Sequence, residues 1–153
     1  MGLAAHSKIG SLFKLAARSP RINRRYQANS GTFSLKKPLN VKVTWARYKS
    51  QKWCRLNSLN LDHVSAHGVF IIWNPEEGNV IQIGQGDIAK HLQISRNSRL
   101  ITRFGEDLRV TWTRIPSGYR DGIIRYLYEQ FSPVIGEANP HARLVIVNHP
   151  GKT

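Results

Sequence analysis

The sequence predicts an α+β domain, a small antiparallel β-sheet flanked by helices, preceded by a basic N-terminal extension over residues 1–40. Three observations lead there. Two apolar runs, 69–73 and 80–83, are joined by a turn rich in Asn, Pro and Gly, the pattern of paired antiparallel strands. Helical patterns begin at Asp87 and Tyr119, with a further strand-like run between them. The charge is one-sided. Residues 1–61 hold thirteen Lys or Arg and no Asp or Glu, and residues 62–153 hold ten and nine, so +13 and +1 make the net +14 of the 153-residue chain. A one-sign block of this kind meets a polyanion or serves as an address.

In the extension, Leu3, Ile9, Leu12, Phe13, Ala16 and Ala17 give a helical apolar stripe whose charges are Lys8, Lys14 and Arg18. Pro20 stops it, because proline lacks an amide proton and disfavours helix in the residue before it. Arg21, Arg24 and Arg25 follow, then a polar stretch, then Lys36 and Lys37. An acid-free helix rich in Ala, Ser and Arg has the composition of a mitochondrial transit peptide. The same composition suits a tail that docks on phosphates, or a solvated tail, with a cytoplasmic or nucleoid-associated protein as the alternative. No run approaches the ~18 apolar residues that a membrane span needs, and the single Cys54 excludes an internal disulfide framework.

Residues 41–153 read as the folded domain. Val41, Val43 and Trp45 alternate with Lys42, Thr44 and Ala46 as in a half-buried strand. Tyr48 and Trp53 are then interleaved with Arg47, Lys49, Lys52 and Arg55. Aromatics that stack on bases, set among cations that hold phosphates, suit single-strand or loop binding. The competing expectation is that Trp45, Trp53, Leu56, Leu59 and Leu61 pack on the core. It is the better one for the tryptophans, because large aromatics bury well. For the cations binding is the better one, because no acid is near in sequence.

The run 69–73 is apolar without alternation, so its sheet is covered on both faces. Asp87 caps a helix through Ile88, Ala89 and Leu92, which the polar residues 95–99 end. Along 108–115, Leu108, Val110 and Trp112 face one way and Arg109, Thr111 and Thr113 the other. The clearest helix is 119–132, with Ile123, Leu127 and Phe131 at i, i+4 and i+8, ended by Pro133. Residues 144–147 make a last short strand, giving the order β-β-α-β-α-β. His63 and His67, four apart beside Asp62 and with Cys54 upstream, are a weak zinc pattern against ordinary surface histidines. Gly84-Gln85-Gly86 lacks the lysine of a phosphate loop and reads as turn geometry.

The tripeptides GVF at 68–70 and QIG at 82–84, with the order of elements that follows, resemble the two signatures of the GIY-YIG nuclease superfamily over residues 68–147. The resemblance implies a small antiparallel sheet flanked by helices. It also implies metal-assisted phosphodiester hydrolysis by a tyrosine in each signature, an arginine on the first helix, a glutamate on a later one holding a divalent ion and, in many bacterial members, a histidine four residues after the arginine. Here the tyrosines fall on Phe70 and Gln82, the arginine on His91, the histidine on Ser95 and the glutamate on Ile124, nine residues before Pro133.

Each replacement removes a function. Phe70 has no hydroxyl to pass a proton, and Gln82 is no base near neutrality. His91 lacks the planar fork with which arginine holds a phosphate. Ile124 offers no oxygen to Mg²⁺. Asp121, Glu129 and Glu137 are the carboxylates that a displaced metal site would draw on.

The expectation is therefore a degenerate, non-catalytic member without cofactor that binds RNA or DNA and serves as a subunit of a nucleoprotein assembly. Its nucleic-acid contacts would come from Lys14, Arg18, Arg21, Arg24, Arg25, Lys36, Lys37 and the 47–55 set. The alternatives are a Mg²⁺-dependent endonuclease with displaced catalytic residues, and a protein-interaction module whose leader is only an address.

Overall fold

A computed structural model describes residues 37–151. In chain order the elements are β1 (Leu39–Val41), β2 (Cys54–Arg55), a 3-10 turn (Leu61–His63), β3 (His67–Trp73) and β4 (Val80–Asp87). They continue with α1 (Ile88–Asn97), α2 (Arg99–Thr102), β5 (Arg109–Arg114), α3 (Ser117–Phe131) and β6 (Val145–Val147). The domain is α+β. Its main sheet is four-stranded and antiparallel in the order β2-β5-β3-β4, and β1 and β6 form a separate parallel pair.

The hairpin forms because Asn74 organises its turn. The Asn74 side-chain oxygen accepts the Glu76 amide at 2.8 Å and its carbonyl accepts the Gly78 amide at 2.8 Å, an Asx-type arrangement. A register shift at Ile72/Trp73 then pairs Trp73 with Val80. The unbroken apolar run of β3 is explained by two hydrocarbon layers. Val69, Ile71 and Trp73 pack with Ile123, Ile124, Leu127 and Phe131 of α3, while Phe70 and Ile72 pack with Ile88 and Leu92 of α1.

Several local expectations are met with changed edges. Asp87 caps α1, its carboxylate accepting the Lys90 amide at 3.3 Å. That helix ends at Asn97, within the polar stretch, and a further helical turn, α2, follows it. On the Arg109, Thr111 and Thr113 face of β5 both threonines are buried. Thr111 is fully inaccessible and donates its hydroxyl to the Ala46 carbonyl at 2.8 Å, so the threonine finds its partner in the chain that crosses β5 after β1 rather than in water.

The strand expected around residues 41–46 is regular only at β1. Beyond it the alternation of burial persists through Trp45, but the partner is a side chain. Asn148 accepts the Val43 amide at 2.7 Å and donates to the Val43 carbonyl at 2.9 Å, standing in for a peptide unit of a neighbouring strand. β1 spans the expected boundary at 40/41, and the Arg143 guanidinium donates to the Lys37 carbonyl, so the fold reaches back to Lys37.

Candidate functional site

Four of the five positions matched to nuclease residues converge where α1 packs on the β3–β4 hairpin. Phe70, 1% exposed, faces Gly84 across the hairpin, and a side chain at Gly84 would strike the Phe70 ring. The His91 imidazole stacks on the Phe70 ring at 5.9 Å between centroids and 28° between planes. It occupies the space above Gly86, whose φ of 123° favours glycine and where a Cβ would lie 2.7 Å from His91 Nε2. One turn further along α1, the buried Ser95 hydroxyl donates to the Gln82 side-chain carbonyl at 3.0 Å. The ring of one pair and the hydroxyl of the other are thus engaged inside the protein.

Ile124 is not part of this cluster. It lies on the opposite face of the sheet, 5% exposed, in the layer formed by Val69, Ile71 and Ile83. A carboxylate there would be surrounded by hydrocarbon, an environment that opposes ionisation.

The candidate replacement carboxylates lie apart from the α1 cluster or are already engaged. Asp121 accepts from Gln85 Nε2 at 2.6 Å at the exposed start of α3. Glu129 pairs with Arg125 at 3.4 Å, one helical turn away. Burial pushes its carboxyl above the usual carboxylate range, opposed by the nearby guanidinium. Glu137 is exposed beyond the helix, and its charge adds to burial in raising the Tyr128 phenol. Among the described residues no three His, Cys, Asp or Glu side chains stand together to hold an ion. The weak zinc pattern is dispersed: Cys54 is buried in β2, its thiol pushed up by that burial, while His63 and His67 are exposed.

Of the basic set, Lys14, Arg18, Arg21, Arg24, Arg25 and Lys36 lie outside the described residues. Lys37, Lys49 and Lys52 are exposed. The rest of the 47–55 segment folds on itself. The Arg47 guanidinium lies 3.9 Å from the centre of the Trp53 ring and donates to the Pro150 carbonyl at 2.9 Å. Trp53 in turn meets Trp73 edge to face at 5.4 Å.

The Tyr48 hydroxyl accepts the Arg55 amide at 3.1 Å, closing a loop that Gln51 turns at a φ of 65°. Trp53 therefore packs, partly buried, against the core, as the competing expectation had it. Arg55 also has a counter-charge that its sequence neighbours do not reveal: Asp107, 3.2 Å away, which also holds Arg109 at 3.0 Å. Asp107 arrives because β2 pairs with β5, a contact some fifty residues distant in sequence.

Comparison of the chain with protein families, with curated proteins and with solved structures returned no match.

Proposed function

We propose that this protein is a non-catalytic nucleic-acid-binding subunit of a nucleoprotein assembly, built on a GIY-YIG nuclease-like scaffold. The observation that carries the binding is the charge asymmetry of thirteen cations and no acid over residues 1–61. Such a block neutralises phosphates and releases counterions, and that term dominates nucleic-acid affinity. Of these thirteen, Lys37, Lys49 and Lys52 are exposed on the folded domain.

The likeness to the nuclease scaffold is supported by position. The residues matched to both signatures and to the first helix pair off under α1, Phe70 with His91 and Gln82 with Ser95, although they span 26 residues of sequence. Loss of hydrolysis is supported by what they do there: they stack on and hydrogen bond to one another, and the fifth position is a core isoleucine. The test is binding and cleavage together. The full chain should hold RNA and DNA in a salt-dependent manner and leave both intact in Mg²⁺ or Mn²⁺. Cutting that depends on metal and is lost in Asp121→Ala would instead establish the enzyme.

A further inference from the structure

The region between the two sheets carries a feature that nucleic-acid binding by the leader does not use. The β3–β5 register, with the Ile115 amide bonded to the His67 carbonyl at 3.2 Å, alternates the backbone groups of β5. Residues 109, 111 and 113 bond to β3, and 110, 112 and 114 turn outward. β2 takes up Val110, and the Ala46 amide takes the Trp112 carbonyl at 2.9 Å.

Past that point the crossing chain leaves β5 to join β6 through Asn148. No strand among the described residues pairs with β5 beyond Val110, so the Trp112 amide and both backbone groups of Arg114 face a groove of about 510 Å³. Val41, Val43, Ile115 and Pro116 supply its hydrocarbon walls; Lys42 and Arg114 are its exposed cations, the Arg114 guanidinium also donating to the Ser65 carbonyl at 2.6 Å, and no carboxylate lines it.

We infer that this groove takes an extended peptide segment of a partner protein, apolar on one face and acidic on the other, added at the open edge of β5. An outward row of alternating N–H and C=O groups is what a strand completes. The aliphatic walls match alternate side chains of such a strand. The two cations, with no acid between them, select carboxylates.

The chain's own leader is a poor occupant, since residues 1–36 carry seven Lys or Arg and no acid, the same sign as the groove. A nucleic acid is also less suited. The walls are mostly aliphatic, and the one aromatic, Trp112, is half-buried against the core layer under α1. The inference is independent of the nucleic-acid reading.

Full-length ¹⁵N-labelled protein can be titrated with an end-blocked eight-residue peptide alternating valine and glutamate. Parallel titrations would use its valine–lysine counterpart and an eight-nucleotide oligouridine. The valine–glutamate peptide is expected to shift the Trp112 and Arg114 amides saturably, and the lysine peptide to bind at least tenfold more weakly. Lys42→Glu with Arg114→Glu should reverse that preference. Should this pair unfold the protein, Thr44→Glu, at an exposed position on the rim, should by itself weaken the glutamate peptide several-fold.

N-methylation of one alternating set of peptide amides should abolish binding, and of the other set leave it. The inference fails if the two amides stay unmoved at millimolar peptide, or if charge reversal leaves the preference intact. It also fails if oligouridine moves the same amides at lower concentration than either peptide, which would make the groove a nucleic-acid site.

Discussion

The Ser95 hydroxyl donates to the Gln82 side-chain carbonyl, 3.0 Å away, so the α1–β4 contact joins two of the side chains matched to nuclease positions. Neither is available to an incoming phosphate without breaking this partly buried hydrogen bond. Purified protein is therefore expected to cleave neither RNA nor DNA above background in Mg²⁺ or Mn²⁺. Ile124→Glu should not create activity, because it places a carboxylate in the layer beneath α3, on the far side of the sheet from His91. It should instead cost ~3 kcal/mol or more of stability, the penalty of an unpaired buried charge. Denaturant unfolding of that variant reads the cost, and cutting by it in Mg²⁺ would refute the reading.

The stack of His91 on Phe70 makes a test at Gly86. Alanine there meets two obstacles: the backbone φ of 123° and the imidazole Nε2 that a Cβ would approach to 2.7 Å. Gly86→Ala should destabilise by ~1–3 kcal/mol. In a His91→Ala background the steric part is removed and the backbone part stays, so the same change should cost less there, though not nothing. Equal costs in both backgrounds would mean that the imidazole does not pack over Gly86. The four unfolding midpoints form a double-mutant cycle.

Much of this was legible in the sequence because it rests on local chemistry. The hairpin, the Asp87 cap and the apolar face of α3 follow from residue type and spacing within a few turns. The unbroken run Val69–Trp73 correctly implied two covered faces, since one-sided burial would have left alternation. Long-range partners were not legible. Nothing near Val43 in sequence announces that Asn148 will bond both its peptide groups. Nothing near Arg55 announces Asp107, and the burial of Thr111 depends on a carbonyl 65 residues away. Of the positions matched to nuclease residues, a strand pair and the following helix bring Phe70 to His91 and Gln82 to Ser95. Sequence matching could not place Ile124 behind the sheet, because that depends on which face α3 covers.

Glu129 gives the domain a pH signature of definite sign. Burial holds its carboxyl above the ordinary value, with Arg125 opposing only in part, and Oε2 is buried without a hydrogen-bond partner. Between its unfolded and folded pKa values the native state therefore holds a proton that the unfolded chain releases. Its contribution is most favourable below the unfolded value of 4.5 and is lost as pH rises through the raised folded value. Glu129→Gln should remove that decline, so the stabilities of the two proteins diverge as pH increases from the acid side, with glutamine the more stable. A gap that closes as pH rises would mean that the Arg125 pair outweighs burial.

Whether the chain has the proposed affinity for nucleic acid, and where it would reside, can be decided in the intact chain. The charges in question are Lys14, Arg18, Arg21, Arg24, Arg25 and Lys36, replaced together by glutamine so that β1 and the Lys37 contact with Arg143 are left in place. If about six cations reach phosphates, log K against log salt should fall with a slope of about −5 for duplex DNA and roughly −4 for a single strand. The six-fold variant should bind much more weakly at low salt and with a shallower slope, because fewer counterions are released. Lys90→Ala and Arg96→Ala serve as controls on the folded surface. Arg96 is committed to the Leu56 and Leu59 carbonyls at 2.9 and 2.6 Å and should affect stability rather than binding. Trp53→Ala should behave like Arg96, lowering the melting temperature through loss of its contacts with Trp73 and Arg47 while leaving the salt slope unchanged. A selective loss of single-strand affinity in that variant would restore Trp53 as a base-stacking residue. Equal affinities and equal slopes for the parent and the six-fold variant would place binding in the folded domain and end the case for the leader.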